Sequence, residues 1–536
     1  MTTVDFKSYE QLSPFEIKND LIKLANASAK KAAHVMLNAG RGNPNWVATT
    51  PREAFFTFGH FAIADCRRSR DDFGAGLAGM PQPAGIAKRL EAWLAARPDA
   101  PGVEFIRNAI AYGVDALGFQ ADAFVFELAD SIIGDNYPVP DRMLVHAEKV
   151  AHKYLQFAMS GSRPVEGRYD LFAVEGGTAA ICYLFRSLMA NRLLKKGDTI
   201  PIGVPIFTPY VEIPGLEDYA LKQIHVHALE EHRFQYSDEE LKKLEDPAVK
   251  AFFVVNPGNP SSVSIDEPTM AKIVDLVKTK RPDLMLLTDD VYGTFVQGFK
   301  SLLGELPRNT IGVYSYSKYF GCTGWRLGII ALHEDNILDE QLAGLPEDEL
   351  KALDARYGAL TLEPRKLKMI DRFVADSRDV ALNHTAGLSL PQQVMITFFS
   401  LAELMDVDKA YQRACMEICH NRARTLLKGL PLKVQPNPHF AAYYGTIDFE
   451  FWLREYAGED MVTWLKANVH PLDLVYQLAN DHSIVLLNGG GFDAPEWSVR
   501  VSFANLPDQV YEDIGVAIRA VARGYYDQFK ASREEA

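Results

Sequence analysis

The chain has 536 residues, 48% of them hydrophobic, 11% aromatic and 24% charged, with a formal net charge of -14. That length exceeds the usual single core and predicts two closely packed domains, and the composition is that of a folded protein rather than a disordered or collagen-like one. The acidic balance excludes a general nucleic-acid or anionic-membrane role, because either needs a basic surface to displace condensed counterions.

The amino terminus, MTTVDFKSYEQL, lacks a basic segment followed by an apolar run, and no stretch stays apolar long enough to span a bilayer, so a cytoplasmic location is expected. Five cysteines (Cys66, Cys182, Cys322, Cys415, Cys419) are too few for a disulfide framework in a chain this long. Cys415, Cys419 and His420 fall at helical spacing, but no second ligand pair follows as zinc would require, and no metal is expected.

In chain order, residues 16–36 place Ile17, Leu21, Leu24, Ala32 and Val35 at helical spacing, with Ser28 completing the stripe, before LNAGRGNPNW breaks the pattern. The segment 54–133 is mixed, with a charge cluster at Asp65–Asp72 and Pro/Gly punctuation near 79–85, and its periodicity assigns no elements. From about 140 the text becomes regular: a helical DRMLVHAEKVAHKYLQFAMS, then apolar runs LFAV, TIPIGV, KAFFVV, LMLLTD, TIGVYS and LGIIAL, with helical stretches between several of them. Such alternation predicts an α/β fold around a mostly parallel sheet, whose ligands gather beside the carboxyl ends of the strands. The charged segment 333–375 reads as a peripheral helical hairpin. After about 410, a long helical run and strand-like pieces ending in WSVRVSFAN predict a smaller α+β domain. There is no internal repeat or low-complexity tract.

The informative residues are polar ones at the ends of apolar runs. TIGVYSYS leads to Ser315, Ser317 and Lys318, and Arg326 follows within GWRLG. A lysine at a strand end is a nucleophilic amine suited to Schiff-base chemistry, and a serine with an arginine can hold a phosphate. In LFAVEGGTAAICYLF a strand gives way to Gly176, Gly177 and Thr178 at a helix start, where free amides and the helix dipole favour an anion. FFVVNPGNPSS sets Asn259 after a strand, either as a donor to a ring oxygen or as an ordinary Asn-Pro turn. LMLLTDDVYGTF ends a buried strand in Asp289 and Asp290, with Tyr292 three residues beyond Asp289; a carboxylate there can keep a pyridine nitrogen protonated. In WSVRVSFANL, alternation puts Trp497, Val499, Val501 and Phe503 on one face and Arg500 on the other.

These pieces, in this order, resemble the aminotransferase-like fold type I of pyridoxal 5'-phosphate (PLP) enzymes, over roughly 170–330 plus Arg500. The resemblance implies Lys318 as the Schiff-base lysine, Asp289 as partner of the pyridine nitrogen, and Tyr292 with Asn259 as donors to the ring oxygen. It further implies a phosphate cup of Gly177, Thr178, Ser315, Ser317 and Arg326, and Arg500 as the clamp for the substrate α-carboxylate. Tyr137, in GDNYPVP, is similar to the tyrosine that reaches the phosphate of a neighbouring subunit, which implies a homodimer with a shared active site. Where aspartate aminotransferases stack a tryptophan on the ring, VPIFTPYVEI offers Phe207, with Tyr210 as second choice.

The fold alone permits transamination, elimination or decarboxylation. The unusual length, the segments 54–133 and 333–375 and the loop NAGRGNPNW together resemble the aspartate 4-decarboxylases. That family implies conversion of L-aspartate to L-alanine and carbon dioxide, aminotransferase side activity in which pyruvate or another 2-oxo acid regenerates PLP, and a homododecamer built from dimers. It also implies a large domain over 61–410, interrupted by insertions 61–133 and 333–375, and a small domain formed by 1–60 and 411–536. Arg41 in GRGNP is the residue expected to handle the departing carboxylate. It should orient rather than grip, because a tight pair would stabilise the ground state more than the transition state. The alternatives are an aminotransferase of a dicarboxylic amino acid and, remotely, a PLP-binding regulator, which would need a basic DNA-binding domain that the first 130 residues do not supply.

Overall fold

The computed structural model describes residues 6–9, 12–32, 35–70, 76–161, 165–378 and 386–534. Ala33 and His34 of the predicted first helix, and Asp71 and Asp72 of the charge cluster, lie outside the described residues.

Helix α1 (Pro14–Ala32) turns Ile17, Leu21, Ala25 and Ala29 inward; of the rest of the expected stripe, Leu24 and Ser28 are half-buried and Val35 lies exposed past the helix end. The segment that assigned no elements is helical: α2 (Thr49–Ser69), α3 (Ile86–Ala95), α4 (Val103–Asp115) and α5 (Ala121–Ile133). Helix α2 packs against α4, α5 and the later helix Leu390–Met405 together. Phe55, Phe58, Phe61 and Ala62 are buried on one face, but Phe56 and Ile63 are exposed on the opposite one, which blurs the helical period.

The central sheet has seven strands: β1 (Tyr169–Val174), β2 (Thr199–Val204), β3 (Lys222–His227), β4 (Ala251–Val255), β5 (Met285–Asp289), β6 (Thr310–Ser315) and β7 (Gly328–His333). Their order is β1-β7-β6-β5-β4-β2-β3, with β7 antiparallel to both neighbours and the remaining pairs parallel. The expected mostly parallel α/β sheet is thus the observed one. Strand β3, KQIHVH, carries no apolar run because it is an edge strand with most of its residues partly exposed. The register pairs Val255 with Asp289 and Asp289 with Val313, which brings the carboxyl ends of β4, β5 and β6 side by side.

The charged segment differs from a peripheral hairpin. It forms helices Ile337–Ala343, Glu347–Tyr357 and Met369–Asp376, and the last is buried through Met369, Ile370 and Phe373 against β1 and the helix Gly177–Ala190. Its charged half faces water and its final turns belong to the core, which total charge over the segment conceals.

A second apolar core gathers residues from both ends of the sequence. Ile17 and Leu21 of α1 pack with Leu474, Val475 and Leu478, and with Ile514 and Ile518 of the last helix, Val510–Glu534. Leu37–Asn38 pairs parallel with Ile484–Val485, and beside it lies a three-stranded antiparallel sheet of Leu487–Asn488, Ser498–Ser502 and Tyr444–Asp448. Among the described residues, no helix is long and apolar enough to cross a membrane.

Candidate active site

A cavity of about 290 Å³ opens where the carboxyl ends of β4, β5 and β6 meet the second core. Lys318, three residues past the end of β6, is half-buried and donates from Nζ to the carbonyl of Gly42 at 3.0 Å. Asp289 ends β5. Its Oδ2 accepts from the Tyr210 hydroxyl at 2.7 Å and its Oδ1 from the Val291 amide at 3.1 Å. Burial pushes its carboxyl up to about 6, although Tyr210, Val291 and the Lys318 charge pull it down. Its neighbour Asp290 points into the core, accepts from Thr288 Oγ1 at 2.6 Å and from Ser301 Oγ, and is pushed by burial up to about 7. The two adjacent acids are therefore distinct, and only Asp289 lines the cavity.

At one end of the cavity begins the helix Gly177–Ala190, preceded by Gly176 at φ 90°. The Arg326 guanidinium packs directly on Gly176, where any side chain would collide with it, and donates to the Glu175 carbonyl at 3.0 Å. Arg326 itself is left-handed, at φ 56°, a conformation that non-glycine residues adopt at a cost. Ser315 Oγ donates to Ser317 Oγ at 3.0 Å, and both line the cavity with Gly177 and Thr178. Helix amides, hydroxyls and a guanidinium converging in this way form a cup for a compact anion.

Along the wall, Phe207 meets Tyr210 edge-on at 5.2 Å and Phe15 edge-on at 5.6 Å. Tyr210 is committed through its hydroxyl to Asp289. Opposite lies Arg500, 1% exposed, donating from Nη1 to Asn259 Oδ1 at 3.0 Å and from Nη2 to the Gly40 carbonyl at 2.9 Å. Its Nε is buried without a hydrogen-bond partner among the described residues. The Asn259 carbonyl oxygen is thus engaged, which leaves its NH2 as the group available to the cavity. Tyr292 donates through its hydroxyl to the Tyr444 hydroxyl at 3.2 Å.

The structure therefore gathers Lys318, Asp289, Gly177, Thr178, Phe207, Asn259, Tyr292, Ser315, Ser317, Arg326 and Arg500 around one cavity. Arg41 and Tyr137 are not among its lining residues. Arg41 is exposed beside Gly42 and Asn43, which do line it, and Tyr137 is 64% exposed. Arg41 stands near Lys18, whose ammonium is held down first by burial and then by the charges of Arg41 and Arg500. Phe15, Gly42, Asn43, Thr323 and Tyr444 also line the cavity and carried no assignment from sequence. Gly42 had a signal in the glycine-rich GRGNP, whereas Tyr444 in AAYYGT reads as an ordinary strand aromatic. Cys415 and Cys419 are buried, His420 packs edge-on to Phe440 at 6.0 Å, and no cluster able to hold a metal ion occurs among the described residues.

The sequence profile of aminotransferase class I and II matches residues 149–356, which span the sheet side of this cavity. A Pseudomonas sp. protein named bifunctional aspartate aminotransferase and L-aspartate beta-decarboxylase is 48% identical over 531 residues, 99% of each chain. This chain belongs to the aminotransferase class I and II family. A probable aspartate/prephenate aminotransferase of Rhizobium leguminosarum bv. phaseoli is 30% identical over 231 residues, 40% of this chain and 56% of its own length. The crystal structure of the aspartate aminotransferase from Rhizobium meliloti superposes with a TM-score of 0.58 at 14% identity, covering 98% of this chain and 99% of that one; it shares the fold.

Proposed function

We propose that this protein is a cytoplasmic, PLP-dependent enzyme that removes the side-chain carboxylate of L-aspartate as carbon dioxide, leaving L-alanine, and that transaminates aspartate as a second activity. The observation that carries this reading is the 48% identity, over 99% of both chains, to the Pseudomonas bifunctional enzyme. The residues present fit the cofactor. A Cβ on Gly177 would stand 3.4 Å from Asp289 Oδ2, so the glycine leaves room for a flat ring over the buried acid. The anion cup of Ser315, Ser317, Thr178 and Arg326 suits its phosphate. Arg500 Nε, buried and unpaired, is a donor in need of an acceptor such as the α-carboxylate.

When bound, PLP supplies an aldehyde for amines and an electron-withdrawing ring that stores the electron pair released at the substrate carbon. Lys318 is the anchoring amine, and afterwards the base that moves the proton at Cα. Asp289 sets a negative charge against the ring nitrogen, with Tyr210 and the Val291 amide fixing the direction of its two oxygens. Tyr292, giving up its bond to the Tyr444 hydroxyl, and the Asn259 amide would be the donors for the ring oxygen. Phe207 is the stacking surface. Arg500 fixes the α-carboxylate by its planar fork. Arg41, exposed beside Gly42, and Lys18, close to Arg41 and Arg500, are the cations that orient the departing carboxylate, held loosely because its charge leaves with carbon dioxide. Transamination leaves the amino group behind, and pyruvate or another 2-oxo acid is the acceptor that removes it.

The exposed Tyr137 supports a homodimer in which this hydroxyl reaches the partner's phosphate cup. The exposed apolar side chains Phe56, Ile63, Leu77 and Met80, with Leu362, support further assembly to a homododecamer through the insertions 54–133 and 333–375. The deciding experiment incubates the protein with PLP and L-aspartate, with 2-oxoglutarate as amino-group acceptor, and quantifies carbon dioxide, alanine and oxaloacetate together. Equal amounts of carbon dioxide and alanine are expected. Oxaloacetate alone would return a plain aminotransferase, and no product at all would remove the enzymatic reading.

A further inference from the structure

Lys318 sits in a stretch whose residues divide between two surroundings. Ser315, Ser317 and Lys318 line the cavity, whereas Tyr314, Tyr316 and Tyr319 do not and are fully buried. Each of these three hydroxyls has a partner. Tyr314 meets the Tyr154 hydroxyl at 2.6 Å, Tyr316 meets Ser400 Oγ at 2.8 Å, and Tyr319 donates to Glu403 Oε2 at 2.9 Å. Ser400 and Glu403 stand one turn apart on the helix Leu390–Met405, so one face of that helix holds the tyrosines on both sides of Lys318.

Glu403 has no part in the reaction as proposed. It is 1% exposed, its Oε1 has no hydrogen-bond partner among the described residues, and the Lys409 ammonium is 4.0 Å from that oxygen. Burying a carboxyl group costs free energy that a leucine of similar size would not. What the acid adds is an acceptor for the Tyr319 hydroxyl. The Tyr319 ring packs edge-on to Phe295 at 5.7 Å and to Tyr411 at 5.1 Å, and its carbonyl accepts from Trp46 Nε1 at 3.1 Å and from the Tyr411 hydroxyl at 2.8 Å. Tyr319 is thus held at its backbone and at its tip, and Lys318 is the residue bonded to it.

A lysine amine rides on a flexible four-carbon stem, so the place it reaches depends on where its backbone is held. We propose that Glu403 is a positioning residue for Lys318, acting through the hydrogen bond it accepts from Tyr319. The bond ties the backbone of 318 and 319 to the helix Leu390–Met405, and with it the point from which Nζ works. This inference rests on the reading of Lys318 as the reacting amine.

The test uses Tyr319→Phe, which keeps the ring and removes only the donor, Glu403→Leu, which removes the acceptor, and the two together. Three quantities are compared with wild type: kcat and KM for L-aspartate in the holoenzymes, the rate at which the cofactor-free proteins take up PLP in a form that borohydride traps on Lys318, and the affinity for 4'-deoxypyridoxine phosphate. That analogue has the ring and the phosphate but no aldehyde, so it reports the rest of the site without the lysine. Each single variant should lose about tenfold in kcat and in trapping rate, with KM and analogue affinity within about twofold of wild type. The double variant should lose no more than either single one, because both remove the same bond. Glu403→Gln keeps an acceptor and should stay within about threefold of wild type. Wild-type kcat and trapping in Tyr319→Phe, equal losses of trapping and analogue affinity, losses that multiply in the double variant, or a Glu403→Gln as impaired as Glu403→Leu overturns the proposal. Tyr319→Phe decides the matter alone should Glu403→Leu not fold. Failure of borohydride to fix PLP to Lys318 in the wild type would instead overturn the parent reading.

Discussion

Exchanging Asp289 for asparagine keeps the shape of the side chain and removes its charge, and so separates the cost of burying the carboxylate from its use. The folded protein raises this carboxyl from 3.8 to about 6, chiefly by burial. At roughly 1.4 kcal/mol for each tenfold change in proton affinity, the ionised form lowers the stability of the cofactor-free fold by about 3 kcal/mol. The sign follows from tighter proton binding in the folded state. The stability is fully present below the ordinary carboxylate value and is lost as pH rises through about 6. Asparagine carries no such loss, so the cofactor-free variant should exceed the wild type in stability, and linkage widens the gap by about 1.4 kcal/mol between pH 5 and pH 8. Asp290 titrates in both proteins. Without the Asp289 charge it ionises more easily, which adds to the gap in the same direction. Urea unfolding of both cofactor-free proteins across this pH range is the assay. A gap independent of pH, or a wild type that gains on the variant as pH rises, would refute the reasoning. With PLP and aspartate present, the same variant should lose about 10²-fold or more in turnover, since a preorganised charge at the ring nitrogen is gone.

Arg500→Lys keeps the charge but strips donors from Asn259 Oδ1 and the Gly40 carbonyl; KM for aspartate should rise by about tenfold or more, with a smaller change in kcat, and an unchanged KM would remove the clamp. Arg41→Ala should alter alanine formation without abolishing it, and wild-type turnover together with wild-type affinity would discard its orienting role. Gly321→Ala places a methyl group against the Trp46 carbonyl at a backbone φ of +59°, so thermal unfolding should show a stability loss on the order of 3 kcal/mol; an unshifted melting curve would reject that packing.

What could be read in the sequence was what is decided locally. The strands announced themselves because β4, β5 and β6 are buried along their whole length and are rich in Val, Ile, Leu, Met and Phe. Lys318, Asp289, Asn259 and Gly177 stood out as polar or permissive residues at the ends of such runs, where an α/β sheet presents its ligands. The helices between 49 and 133 went unread for different reasons: α2 carries Phe56 and Ile63 on its exposed face, which masks its period, whereas α3 buries Ile86, Leu90 and Leu94 at regular i, i+4 spacing, a stripe that was legible. Tyr210 was weighed only as a stacking ring, since its tie to Asp289 spans 79 positions of sequence. Tyr444 gave no signal at all, because its neighbours Arg500 and Tyr292 are brought to it only by the fold.

The glycines of GRGNP show why this site needs both cores. The Gly40 carbonyl accepts from Arg500 of the second core, and the Gly42 carbonyl accepts from Lys318 beside the sheet and from Tyr443. A Cβ on Gly40 would press on Leu487 at 3.3 Å, and one on Gly42 would meet the Tyr444 hydroxyl at 2.6 Å. Neither glycine has a positive φ. Close approach, rather than an unusual backbone conformation, therefore selects them, since any side chain would drive apart the elements that bring Arg500 and Tyr444 to Lys318. The groups proposed to hold the cofactor come from 177–326, and Arg500 and Arg41, proposed to meet the substrate's carboxylates, come from the two ends of the chain. A turn without side chains at those two positions lets Arg500 share a cavity of about 290 Å³ with the cofactor's residues.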